Sequence, residues 1–190
     1  MGVSNYTELK ATIADFLNRT DLTSVIPTFI TLAEADFNRR IRHYSMEARA
    51  TAELNTQFFL PPADWLESIR FRLTGDGTYP LELVSNSQLM DMRDNSNDAA
   101  GRPGYYVFVD GQFELFPTPS QAYTAELIYY AKIPALSDSA TTNWLLTNHP
   151  DSYLYASLMG WKKKEIEEQL EDIINFSELG HHFERPIRTY

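Results

Sequence analysis

The stretch NWLLTNHPDSYLYASLMGW, residues 143–161, joins a helix start signal to the densest apolar periodicity in the chain. Pro150 suits the first helical position, where a missing N–H removes no bond; His149 or Asn148 stands at the cap, and Asp151 faces the positive end of the helix dipole. Leu154, Leu158 and Trp161 then fall on one stripe, widened by Tyr153, Tyr155 and Met159. The spacing predicts a core helix, apolar around much of its circumference, that other elements must cover. Trp144 to Leu146 are expected to pack back on it as a lead-in.

Two helices are expected upstream. Tyr6 to Leu17 carries Leu9, Ile13, Phe16 and Leu17 at helical spacing, with Ser4 or Asn5 as cap, Glu8 in the first turn and an end near Asn18. The second starts in the polar cluster Thr20 to Ser24 and tolerates Pro27 in its first turn. It runs through Ile26, Phe29, Ile30, Ala33, Phe37 and Ile41 to a basic end. Arg39, Arg40, Arg42 and His43 there read either as a dipole-matched helix end or as a contact patch for an acidic partner.

From Met46 the pattern becomes that of strands. Glu47 to Leu54 alternates polar with small apolar residues, Gln57 to Leu60 is a short run stopped by Pro61-Pro62, and Asp64 to Leu73 reads as a short helix passing into a strand. Tyr79 to Val84 reads as a strand, Ser85 to Ser87 caps a short helix through Met92, and residues 94–104 are a polar loop. The clearest strand signal is YYVFVDGQFELF, residues 105–116. Asp110-Gly111 is a two-residue type I′ turn, which sets Val109 opposite Gln112, Phe108 opposite Phe113, Val107 opposite Glu114 and Tyr106 opposite Leu115. Ala122 to Lys132 is expected as the third strand of an antiparallel meander, and Ile133 to Thr142 as a linker.

The predicted fold class is therefore α+β, a helical bundle formed by N- and C-terminal helices with an antiparallel β-rich insert. The bundle takes residues 1–45 and 143–178, the insert 46–142 with the hairpin 105–116, and an extended C-terminal tail 179–190. Beyond Trp161 the helical pattern continues through Ile166, Leu170, Ile173 and Ile174, and is then lost in a segment rich in aromatic residues.

Composition narrows the function. A chain of 190 residues, 43% hydrophobic and 22% charged, suits a packed core, and the absence of cysteine removes disulfides and thiolate chemistry. No apolar run approaches the ~18 residues of a membrane span, and the N-terminus lacks a basic region followed by an apolar run, so a soluble intracellular protein without membrane contact is expected. A formal charge of -10 disfavours tight binding to phosphate backbones. The sequence has no phosphate-binding glycine loop, no Gly-x-Ser-x-Gly and no His-Glu-x-x-His. Asp94, Ser96 and Asp98 have the alternate spacing of a calcium loop, but Ala99 and Tyr105 stand where glycine and glutamate are required. His181-His182 are adjacent, which suits no shared metal on one helix face. No carboxylate is embedded in an apolar run that would raise its pKa, so no catalytic, cofactor or metal site is expected. The alternative to a structural protein is a soluble carbohydrate-binding or hydrolase module on the β-insert, with Tyr105, Tyr106, Tyr129 and Tyr130 as a stacking platform.

Five segments share their order and spacing with a known family: AEADFNRRIR (33–42), LPPADWL (60–66), GRPGYY (101–106), LIYYAKIPAL (127–136) and NWLLTNHPD (143–151). Together they resemble the head-to-tail adaptor, or connector, proteins of short-tailed bacteriophages, the tail tubular A type. The resemblance implies a non-enzymatic structural protein of the virion neck, assembled in the host cytoplasm, with no cofactor. Its partners would be further copies of itself in a ring, commonly a dodecamer, the portal protein above and a tail tube or nozzle protein below. DNA would pass through the lumen without specific binding, helped by an acidic wall that repels phosphates. In such rings a C-terminal segment packs against the portal, which makes Phe176, Leu179, Phe183, Arg185, Pro186, Ile187, Arg188 and Tyr190 the expected portal contacts, with Arg39, Arg40 and Arg42 as a further partner patch.

Overall fold

The structure, a computed structural model, describes residues 2–18, 23–75, 77–97 and 99–162. In chain order its elements are α1 (Tyr6–Leu17), α2 (Ile26–Arg40), β1 (Glu47–Leu54), β2 (Phe58–Phe59), β3 (Trp65–Thr74), β4 (Tyr79–Pro80), β5 (Glu82–Leu83) and α3 (Asn86–Ser96). There follow β6 (Tyr105–Val109), β7 (Gln112–Phe116), β8 (Tyr123–Ala131), α4 (Trp144–Asn148) and a helix α5 described over 150–162. The fold is α+β with mainly antiparallel sheets. The chain divides into two compact units, Met1–Arg40 with Ile133–Tyr190, and Ile41–Lys132.

In the first unit the cap on α1 is Asn5, whose side chain accepts the Glu8 N–H at 2.9 Å, and the helix ends at Asn18 in the left-handed conformation with φ 49°. Tyr6, Leu9 and Ile13 are buried, while Phe16, expected on the same stripe, is exposed. α2 buries Ile26, Phe29, Ile30, Ala33, Glu34 and Phe37. It stops at Arg40 and does not reach Ile41, because His43 is extended and its Nδ1 accepts the Ser45 N–H at 3.2 Å, starting a separate 3-10 turn over Tyr44–Met46. The segment from Ile133, read as a linker, is pinned: the Ile133 N–H donates to Asn38 Oδ1 and the Tyr6 N–H to the Thr141 carbonyl, both at 2.8 Å.

Trp144 to Leu146 are not a lead-in but part of the helix α4, capped by Asn143, whose Oδ1 accepts the Leu146 N–H at 2.8 Å. Asn148 lies inside α4. His149 separates the two helices and its carbonyl accepts the Ser152 N–H, so Pro150 does open α5. The core side of α5 is Tyr153 and Ser157, with Gly160, where an added Cβ would sit 3.9 Å from Phe29. Leu154, Leu158 and Trp161 are half-buried flanks, and Tyr155 and Met159 face solvent.

The second unit is two packed four-stranded sheets, in the orders β1-β8-β3-β4 and β2-β7-β6-β5. The β6–β7 hairpin has the expected register, with Asp110 and Gly111 both at positive φ. β8 does not join that hairpin in a meander. It crosses to the other sheet, where it lies antiparallel between β1 and β3. Pro117 and Pro119 remove two amide donors just where a third hairpin strand would begin, and β8 instead carries Ala125, Leu127 and Tyr129 into the core. β3 is strand throughout, replacing the helix-to-strand reading, because its residues face β8 over nearly its whole length. Tyr79–Val84 is broken at Leu81, whose N–H bonds the Phe71 carbonyl: β4 pairs with β3, while β5 runs parallel to β6 in the other sheet.

Phe71, Tyr106, Phe113, Leu115, Leu127 and Tyr129 fill the space between the sheets. On the outer side of the hairpin Val107 and Phe116 are buried under Leu89 of α3. α3 starts with a reciprocal capping box between Ser85 and Gln88 and runs to Ser96, so Asp94 and Ser96 are helical rather than in a loop.

Candidate interaction surfaces

Glu34 lies on the α2 face of Ile30, Ala33 and Phe37, so burying that face buries the carboxylate. Its Oε1 accepts the Leu136 N–H at 2.8 Å and the Tyr153 hydroxyl at 3.2 Å. The Tyr153 oxygen accepts from Asn143 Nδ2 at 2.6 Å, and the same amide donates to the Pro134 carbonyl at 2.7 Å. One run of bonds thus ties α2, the 133–142 segment, α4 and α5. Burial raises the Glu34 carboxyl above its ordinary range, and the bonds from Leu136 and Tyr153 offset this only in part. Burial also raises the Tyr153 hydroxyl, against the Asn143 bond and with the Glu34 charge adding to the rise. The expectation that no carboxylate has apolar surroundings is therefore corrected. The signal was present in the sequence, since Glu34 follows Ile30 by one helical turn and precedes Phe37 by another. A carboxylate 5% exposed and held by two donors braces the fold.

The basic cluster is split between the units. Arg39 Nη2 and Arg40 Nε share Asp36 Oδ1 at 3.2 and 3.0 Å on the exposed end of α2. Pairs this exposed contribute about 0–1 kcal/mol, so both guanidinium groups stay available to a stronger acidic partner. Arg42 belongs to the second unit, where its Nε meets Glu67 at 2.9 Å and its guanidinium lies over the Tyr130 ring. Phe176, Leu179, Phe183, Arg185, Pro186, Ile187, Arg188 and Tyr190 lie outside the described residues, as do Asp98, His181 and His182.

Large apolar side chains remain uncovered on both units. In the first, Tyr155 and Met159, one turn apart on α5, are 61% and 73% exposed, with Leu32 of α2 also open. In the second, Phe58 and Leu60 flank Phe59, and Phe108 and Val109 stand at the hairpin tip. The tyrosine platform is not assembled. Tyr106 and Tyr129 are buried, the latter donating to Asp64 at 3.0 Å, and the half-buried Tyr105 and Tyr130 sit in different sheets.

Two clefts open on the second unit. One, of about 430 Å³, is lined by Thr74, Tyr79, Arg102, Gln121 and Tyr123, with the Arg102 guanidinium 3.8 Å over the Tyr79 ring. The other, about 240 Å³ and mostly apolar, is lined by Ala50, Ala52, Phe59, Leu60 and Pro61. Neither joins a nucleophile to a base. Among the described residues no group of three or more His, Cys, Asp or Glu could hold a metal ion, and no helix is long and apolar enough to cross a membrane.

The described residues thus give two compact units that leave large apolar side chains and the Arg39 and Arg40 guanidinium groups at the surface. Residues 4–169 match the family described as SU10 adaptor protein, and the chain belongs to that family of structural phage adaptors. Membership implies a virion component at the head–tail junction. Short segments are also similar to transport proteins. The O-antigen export system ATP-binding protein RfbB of Klebsiella pneumoniae is 47% identical over 45 residues, 24% of this chain and 18% of that protein. The teichoic acids export ATP-binding protein TagH of Enterococcus faecalis is 34% identical over 67 residues, 35% of this chain and 15% of that protein. The chain spans less than a fifth of the length of these curated relatives. Its own sequence has no glycine-rich phosphate loop with which to hold ATP.

Proposed function

We propose that the chain is the adaptor subunit that docks under the portal, extends the DNA channel and provides the attachment site for tail proteins. The observation that carries this is the family match over residues 4–169. Copies would close into a ring, commonly a dodecamer, through heterologous contacts that use two different patches of each subunit. The helices of the first unit, packed as a bundle, would form the ring wall. The uncovered Tyr155 and Met159 suit a neighbour's apolar surface, and Arg39 and Arg40 an acidic one. The β-unit would face the tail tube or nozzle protein or the adjacent copy. Phe176 to Tyr190 would pack against the portal. With -10 on each copy, a lumen lined even partly by that charge repels phosphates, so DNA slides through without specific binding.

The test is mass measurement of the purified subunit alone and mixed with its portal, followed by imaging of the mixture. A closed ring of the subunit on the portal's tail-facing side is the expected result. A chain that never joins a portal assembly overturns the proposal.

A further inference from the structure

β1 is the outer strand of its sheet. β8 covers one side over all eight residues, from Glu47 opposite Tyr130 to Leu54 opposite Tyr123, and among the described residues no strand meets the other side. The outer edges of the other sheet are the two-residue strands β2 and β5, too short to template a partner. β1 is long and open, with Arg49, Thr51, Ala52 and Glu53 exposed. Its core-side residues are the alanines 48, 50 and 52, and beside Ala50 and Ala52 lies the apolar groove with Phe59 and Leu60. The sandwich is thus unfinished along this edge, and the unpaired backbone of a long edge strand is a template for another extended chain.

The side chains of β1 say which chain. Two copies laid antiparallel about a two-fold axis through Thr51 place Arg49 of each opposite Glu53 of the other on the outer face, and Ala50 opposite Ala52 on the core face. Centred instead on Ala50, the pair would oppose Glu47 to Glu53. Centred on Ala52, it would move Arg49 beyond the strand, opposite Asn55. One register therefore matches charge with charge and keeps both core faces on the same side. Arg49 can take part: its side chain is 64% exposed, and its pair with Glu126 is long, at 3.6 Å, on a carboxylate that Arg72 holds at 2.6 Å. Glu53 has no ion pair among the described residues.

We propose that the free subunit pairs with a second copy of itself through β1, in the Thr51-centred register. The two sheets then run on as one, and the two apolar grooves adjoin across the axis. A two-fold contact closes on itself and cannot propagate round a ring, so this pairing is separate from the head-to-tail contacts of the adaptor ring. It covers the exposed edge of a subunit that has no ring neighbours yet.

Sedimentation of the full chain without portal tests this. The native protein is expected to show a monomer–dimer equilibrium. Arg49→Glu alone sets Glu against Glu twice, and Glu53→Arg alone sets Arg against Arg twice, so each is expected to raise the dimer dissociation constant by about tenfold or more. An equimolar mixture of the two variants restores both opposite-charge pairs and is expected to dimerise like the native chain. Unchanged melting temperatures in each variant show that folding is intact. A native chain that stays monomeric overturns the proposal, as do single variants that dimerise normally or a mixture that does not recover. A ring that forms with portal while these variants alter nothing leaves the adaptor reading in place and sinks this one.

Discussion

Glu34 gives the subunit a defined response to pH. Its carboxyl is held above the ordinary value of 4.5, chiefly by burial, so the folded chain binds this proton more tightly than the unfolded chain does. The stability it contributes is complete below 4.5 and is lost as pH rises through the higher folded value. Glu34→Gln keeps a carbonyl oxygen for the Leu136 N–H and the Tyr153 hydroxyl while removing the charge. Its melting temperature is expected to equal or exceed that of the native chain at neutral pH, with the advantage disappearing below pH 4.5. Glu34→Ala is expected to lose about 1–3 kcal/mol at either pH, because a buried N–H and hydroxyl lose their acceptor. An advantage for Glu34→Gln that grows toward acid would mean that the fold favours the ionised form.

Among the elements, α3 depends most on a single local device. Ser85 Oγ accepts the Gln88 N–H and Gln88 returns a bond to the Ser85 N–H, fixing the helix whose Leu89 closes over Val107 and Phe116. Ser85→Ala is expected to lower stability by about 1 kcal/mol, seen as a lower urea midpoint with unchanged slope. Devices of this kind were legible in the sequence because they are local: the caps of α1 and α3, the turn at Asp110-Gly111 and the inward face of β8 all rest on neighbours in the chain. Partner choice was not. Alternation in Ala122–Lys132 says which side chains face inward, but not whether the adjacent strand is β7 or β1, and two prolines decided the matter. On α5, apolar residues all round left the core arc undetermined. The polar bonds of Tyr153 selected it and left Tyr155 and Met159 as surface.

At the scale of the whole molecule, -10 on every copy means that neighbouring subunits repel, so docking must rest on apolar cover or on the few basic groups. The segment Gly180 to Tyr190 supplies both kinds, with Phe183, Ile187 and Tyr190 beside Arg185 and Arg188. If its role is docking, deleting it leaves the isolated subunit with the same melting temperature while weakening its hold on the portal in a sedimentation or mass assay. Salt separates the two contributions, since screening at 1 M ionic strength shortens the Debye length to about 3 Å. A hold that strengthens with salt rests on apolar cover against acidic repulsion, and one that weakens rests on Arg185 and Arg188. Should the deletion lower the melting temperature of the lone subunit and leave portal binding of the folded fraction unchanged, the segment belongs to the subunit's own core and the docking surface must be sought on α5 and the end of α2.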